Sequence, residues 1–425
     1  MSDMFDEALC ALKKLVAIDS VQAAPCNASP FGEGVAKCLQ FVADDAKSRG
    51  FKVGLGDGYY VWAETGEGDL FGVLGHLDTV PLGGGWHADP LGEIKDGVFY
   101  GRGVLDDKGP MTLAFYAALS LLKEGKKPKR RIRFIWGGNE ESGWKCIERY
   151  LKREELPKEG ISPDADFPVI NCEKGVAHVR LTFAKPKEVV SMKGGERVNV
   201  VMPECRAKVR GEIECDLAES VSDGATALVA HGAAAHGSTP FEGVNAGWKM
   251  LKTLADFSPE CGRLAALLCD HDGSGLGIAC RDEKSGALTC NMGIIDTDTK
   301  NIIVELDIRH PVDVPRDDIL KRLKEVEGVK SVELTAFHDP LYVAPDDELV
   351  TALSDAYNAC TGESAKPIAI GGATYARALP KAVAFGPVFP GEKSTIHMPD
   401  ERQSLEKLRK IYDIYRASFE RLLFV

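Results

Sequence analysis

The chain has 425 residues, room for two or three domains of about 150 residues each. Its 52 Lys and Arg against 64 Asp and Glu leave a formal net charge of −12, and 44% of residues are hydrophobic. An acidic balance without a basic face argues against a nucleic-acid partner, and the apolar content supports packed cores over disorder. No membrane partner is expected either. Mean hydropathy is −0.13, and apolar stretches such as 113–122, interrupted by Ser120, fall well short of the ~20 residues of a spanning helix. The start, Met1-Ser2-Asp3-Met4-Phe5-Asp6-Glu7, is acidic where a secretory leader is basic and then apolar. Twelve cysteines run from Cys10 to Cys360 without a Cys-x-x-Cys pair. That distribution predicts a reduced, cytoplasmic protein with cysteines as small core residues.

Along the first ~175 residues, strand-like and helix-like patterns alternate. Phe5, Leu9, Leu12, Leu15 and Val16 recur at helical spacing. Residues 70–74 read as a buried strand, 98–100 as another and 111–122 as a helix. Residues 131–136 alternate with period two before Gly137-Gly138, and 167–170 read as a short strand. This alternation predicts an α/β domain with a mainly parallel sheet. The pattern then changes. A strand at 225–230, a helix at 245–257, strands at 287–295 and 301–308, a helix at 317–326 and a strand at 329–336 follow in the β-α-β-β-α-β order of ferredoxin-like α+β units. A last helix from Glu401 places Leu405, Leu408, Tyr412, Tyr415, Phe419 and Leu422 on one face, with Asp400 at the N-cap position. The expected organisation is a catalytic domain in two parts, 1–176 and 341–425, with a second domain, 177–340, inserted between them.

Acidic and imidazole side chains gather at the predicted strand ends. His76 and Asp78 lie in Gly75-His76-Leu77-Asp78, two apart and therefore on one face of an extended segment. That suits a metal-ligating histidine with a carboxylate to orient its other N–H. Asp106-Asp107-Lys108 stands between a strand and a helix, and Asn139-Glu140-Glu141 follows another strand. Asp164, Asp166 and His397 complete the set. Singly, each has an ordinary explanation: acids cap helix N-termini, and strand-end histidines are common. Collectively they follow strands of an α/β sheet, whose carboxyl ends border the ligand crevice. Two imidazoles with several carboxylates match a pair of divalent metals in a hydrolase.

Six strings in order, GHLDTVP, YGRGVLDDKGP, GGNEESGWK, SPDADFPVINCEKG, AHGAAAHGSTP and GGATYARALPKAVAFGPVFPG followed by His397, resemble the co-catalytic zinc peptidases of the aminoacylase/carboxypeptidase G/DapE superfamily. Within it the chain looks most like PepV-type bacterial dipeptidases. The resemblance implies His76, Asp106 and Asp164 on one metal, and a bridging Asp106 with Glu141 and His397 on the other. It implies Glu140 as general base and Asp78 as the partner of His76. In the inserted lid it implies His236 as oxyanion donor and Asn199 and Arg309 as substrate contacts. An aspartate at position 164 accompanies free-amino-end specificity in such enzymes. Asn139 stands where an aspartate is common, and Ala373 where a glycine is usual.

The expected function is therefore a metal-dependent dipeptidase acting on small peptides with a free amino end. A water bridging two ions, zinc first with manganese or cobalt as alternatives, would have its pKa lowered toward ~7 and lose its proton to Glu140. An N-acyl-amino-acid deacylase on the same scaffold and a non-catalytic binding protein are the alternatives. The molecule is expected to be a monomer or a homodimer. A serine hydrolase lacks its Gly-x-Ser-x-Gly elbow here, and a nucleotide enzyme its phosphate loop.

Overall fold

The computed structural model describes residues 3–425, and the chain forms two compact units. The first holds the described residues of Met1–Asn171 with Val343–Ile368 and Thr374–Val425; the second holds Cys172–Tyr342 and Ala369–Ala373. Both mix helices and strands, an α/β fold in the broad sense.

In the first unit the opening helix is Met4–Val16. Asp3 caps it by accepting the Phe5 N–H, and Phe5, Ala8, Leu12, Leu15 and Val16 are buried. Four strands, Arg131–Gly137, Leu70–His76, Glu159–Ser162 and Ala382–Ala384, lie side by side and parallel. The flanks differ from the expected mainly parallel sheet. Lys52–Leu55 and Tyr60–Thr65 form an antiparallel hairpin beside Arg131–Gly137, and Ile170 pairs antiparallel with Ala384. Asp57 (φ 54°) and Gly58 (φ 78°) both take the left-handed region, with the Tyr59 N–H on the Gly56 carbonyl. A two-residue turn of that kind can only join antiparallel neighbours.

The alternation at 131–136 also has a different cause from a wet face. Arg133 is buried and donates to Glu64 Oε2 from Nε (2.8 Å) and Nη2 (2.6 Å) and to the Tyr150 hydroxyl. Both faces of this strand are therefore covered, as a strand inside an α/β layer requires. The strand expected at 167–170 begins at Ile170, because Pro168 has no N–H to give a ladder. Val98–Tyr100 joins a separate three-stranded sheet with Glu93–Lys95 and Arg402–Ser404. That last strand displaces the final helix, which runs Leu405–Leu423 and is capped by Ser404 instead of Asp400. Asp400, at φ 57°, accepts the His87 and Ala88 N–H groups.

The second unit is built on one antiparallel sheet in the order Ala218–Ser222, Ala225–His231, Glu204–Arg210, Val189–Gly194, Thr289–Thr297, Asn301–His310, Gly175–Ala184, Val329–His338. The helices Ala246–Leu254, Pro259–Leu268 and Arg316–Glu325 contribute to one core with Val179, Leu181, Leu228, Leu251, Leu306, Ile308, Ile319 and Leu323. All six expected elements occur, inside a larger sheet. The helix expected to reach 257 stops at Leu254, because Ser258 caps a new helix with Pro259 in its first turn. No helix among the described residues is long and apolar enough to cross a membrane.

Candidate active site

The parallel strands of the first unit deliver their carboxyl ends to one place. His76 closes Leu70–His76, Glu140 and Glu141 follow Arg131–Gly137, and Asp164 follows Glu159–Ser162. These three strands are neighbours, so residues nearly ninety positions apart become adjacent. Asp106 enters from the loop preceding the helix Lys108–Lys123, and His397 from the segment before the final helix.

Asp78 organises the first layer. Its carboxylate, buried, accepts the Glu140 N–H at 2.9 Å and the Glu141 N–H at 3.1 Å, which holds the glutamate loop against the His76 segment. The Asp78 backbone carbonyl, rather than its carboxylate, lies nearest His76 Nδ1, at 2.9 Å against 3.5 Å for Oδ1. A carbonyl only accepts, so Nδ1 carries a proton, and Nε2 is the nitrogen turned toward the carboxylates. Nε2 lies 2.9 Å from Asp106 Oδ1 and 3.6 Å from Asp164 Oδ2, yet it is buried with no hydrogen bond among the described residues. Asp106 turns its other oxygen to the opposite histidine: Oδ2 is 2.8 Å from His397 Nε2, which is 3.0 Å from Glu141 Oε1. One carboxylate thus faces both imidazoles, one oxygen to each.

The electrostatics are those of a cation site. Burial pushes the Glu140 and Glu141 carboxyls up, reinforced by neighbouring acids, and Asp164 is pushed up to about 7 by burial and then by Asp106. Burial disfavours a charged His397, but Asp106 and Glu141 outweigh it and carry the ring up to about 10. Asp106, buried yet held by both histidines, stays below the usual carboxylate range. Burial disfavours a charged His76 as well, but the surrounding acids, Asp106 first, outweigh it and carry the ring up. Carboxylates crowded around two imidazoles in a buried site call for positive charge among them. The orphaned Nε2 and the mixed N/O donor set therefore fit divalent metals. Donor atoms of His76, Asp106 and Glu141 lie within 4.8 Å of one another, as do those of His76, Asp107 and Asp164.

Asp107 is absent from the expected ligand set. Its Oδ2 accepts the His76 backbone N–H at 3.2 Å, while buried Oδ1 has no hydrogen-bond partner among the described residues. A side chain at position 75 would collide with that carboxylate, so glycine there lets His76 and Asp107 meet. Glu401 was missed as well. Fully buried, it accepts Gly103 N–H (3.0 Å) and Leu105 N–H (2.9 Å) on Oε1 and Arg102 Nη1 (2.7 Å) on Oε2. It ties the His397 segment to the loop that carries Asp106. Lys108 Nζ, also buried, donates to the Leu15 and Ile18 carbonyls and anchors the other side of that loop. A charged residue beside each motif was the available signal, but nothing local tells a buried partner from a surface one.

In the second unit, Asn199 and His236 come together through the Gly237 N–H on the Asn199 carbonyl at 2.8 Å. Any side chain at 237 would strike Asn199 and the Asp307 carboxylate, which accounts for the glycine after His236. The Ser238 N–H donates to His236 Nδ1 at 3.2 Å, so the ring proton of His236 sits on Nε2. Arg309 is buried and forks onto Asp307, Nε to Oδ1 at 2.7 Å and Nη2 to Oδ2 at 2.8 Å, with Nη1 on the Gly371 carbonyl. The guanidinium of Arg309, implied by the resemblance as a substrate contact, thus turns its fork to Asp307.

Residues 72–421 match the model of peptidase family M20/M25/M40. The chain is 36% identical over 440 residues to "Putative dipeptidase YtjP" of Bacillus subtilis (strain 168), covering 95% of this chain and 94% of that one. Among solved structures it is similar to human carnosine dipeptidase 1, with a TM-score of 0.61 and 17% identity over 98% of this chain and 96% of that one. It is equally similar in fold to aminoacylhistidine dipeptidase from Vibrio alginolyticus, with a TM-score of 0.61 and 13% identity over 99% of this chain and 98% of that one.

Proposed function

The chain belongs to peptidase family M20/M25/M40, and on that premise we propose that it is a PepV-type dipeptidase that works with two divalent metal ions. The observation that carries this reading is the division of Asp106: one oxygen toward His76 Nε2, the other toward His397 Nε2. His76, Asp106 and Asp164 would hold one ion, and Asp106, Glu141 and His397 the other. Bound there, divalent ions supply Lewis-acid polarisation of the scissile carbonyl and make water acidic near neutral pH. Zinc suits the donors, with manganese and cobalt as alternatives.

The remaining work falls to the chain's own groups. Glu140 takes the proton of the attacking water and passes it to the departing amine, which leaves as the free amino group of the second residue. Asp78 holds Glu140 and Glu141 at fixed backbone positions through their N–H groups. The ferredoxin-like insertion expected at 177–340, which falls within the second unit, acts as a lid. His236 donates from Nε2 to the oxyanion of the tetrahedral intermediate, Asn199 contacts the substrate, and Arg309 would reach it only with an N–H that Asp307 and Gly371 leave unused.

The test is a panel of free dipeptides beside N-acetylated amino acids, using protein stripped of metal and reconstituted with zinc, manganese or cobalt. Dipeptides should be cleaved and acetylated substrates spared; the reverse preference would assign a deacylase instead. Glu140→Gln should cut kcat by about 10²–10⁴ with metal content unchanged. Near-normal turnover in that variant would overturn the base assignment.

A further inference from the structure

The loop that presents Glu140 ends on an unusual residue. Trp144 has φ 59°, in the left-handed region, where a bulky side chain is costly and a glycine is the ordinary choice. The conformation is held by two bonds: the Trp144 N–H donates to the Asn139 carbonyl at 2.8 Å, and the Lys145 N–H to Asn139 Oδ1 at 3.1 Å. Closing the loop in this way carries the indole back over the residue it encloses. Trp144 Nε1 lies 2.9 Å from Glu140 Oε1 and donates to it. The ring is then braced from behind. It packs edge-on against Tyr375 at 5.1 Å between centroids, and Tyr375 in turn meets the His76 ring at 6.2 Å. Tyr375 is itself fully buried, with its hydroxyl 2.8 Å from Cys146 Sγ.

We propose that Trp144 is a positioning residue for the general base: its indole N–H fixes Oε1 of Glu140, leaving Oε2 as the oxygen that takes and returns the proton. The strained backbone at 144 is the cost of placing that donor, a pattern found where local strain serves a functional group. This rests on the reading of Glu140 as base, and it adds which oxygen is held and by what. A carboxylate free to rotate would share the proton between two oxygens, only one of them in line with the reacting water.

The holoenzyme carrying Trp144→Phe keeps the ring but lacks the donor. Its kcat on a cleaved dipeptide should fall about tenfold, the scale of a hydrogen bond to a charged group, with KM within about twofold and metal content unchanged. In a Glu140→Asp background, whose shorter carboxylate no longer reaches the indole, the same substitution should change kcat less than about twofold. Unchanged kcat in Trp144→Phe, or an equal loss in both backgrounds, would overturn the proposal. A second measurement does not depend on the Phe variant folding. With ¹⁵N-labelled tryptophan, the Trp144 indole N–H resonance should shift in Glu140→Gln, and an unmoved resonance would overturn the proposal. These outcomes are separable from the base assignment, which fails only if Glu140→Gln retains its rate.

Discussion

Replacing Glu401 by alanine offers a demanding test of how the site is assembled. The carboxylate is fully buried and satisfies three donors, the Gly103 and Leu105 N–H groups and Arg102 Nη1. Without it, two backbone donors lose their acceptor, each costing about 1–3 kcal/mol. Arg102, itself buried, loses its partner, and breaking a buried ion pair from one side costs about 3–5 kcal/mol. These losses share one loop and overlap, so a net destabilisation of about 4–6 kcal/mol is expected. At roughly 2–4 °C per kcal/mol, the transition of the first unit should drop by about 10–20 °C. Glu401→Gln keeps an acceptor for the two N–H groups but sets an amide against the guanidinium, so its loss should be about half as large. Because the loop carries Asp106, metal affinity should also fall about 10- to 100-fold in the alanine variant. Calorimetry with and without chelator, and metal titration by competition with a chromogenic chelator, read the two effects. A destabilisation of Glu401→Ala below about 1 kcal/mol would refute the reasoning, since buried donors cannot lose their acceptor at no cost.

Two further outcomes follow from the charge pairs and the titrating groups. Asp307→Ala should strip buried Arg309 of both its carboxylate contacts and destabilise the second unit by about 3–5 kcal/mol; thermal melts should show this with metal content unaltered, and a loss of metal would contradict it. Metal-free protein should lose stability as pH rises from about 4 to 7. Burial, followed by the charge of Asp106, pushes both Asp164 and Glu401 up to about 7. The folded chain therefore keeps protons that an unfolded chain releases near pH 4, and the stabilisation present below that pH is lost as the folded groups ionise. Bound divalent cations should flatten the trend, and melts that rise steadily from pH 4 to 7 in chelator would contradict it.

Much of the architecture was legible in local patterns. Phe5, Leu12 and Val16 announce the first helix, and the apolar run at 70–74 announces a buried strand, because burial on one face or two imposes a period along the chain. The mixed character of the sheet was partly legible in Gly56-Asp57-Gly58, a hairpin turn sitting between two short apolar segments. The alternation at Arg131 and Arg133 locates the strand but leaves its faces open: period two reports a change of side-chain type between faces, and a buried Arg133–Glu64 pair looks the same in sequence as a wet face.

The order of residues along the chain determined which chemical groups were available: paired acids and histidines after apolar strands, and glycines at 75 and 237 where a side chain would collide. Tertiary structure alone decided what those groups do to one another. It assigned a proton of His76 to Nδ1 through a backbone carbonyl, divided Asp106 between two imidazoles, turned Arg309 onto Asp307 and buried Glu401 beneath the Asp106 loop. Periodicity reaches only as far as one helix or strand, whereas these contacts join residues up to about three hundred positions apart. Their partners are chosen by which strand ends the sheet brings together and by the need of every buried polar atom for a counterpart.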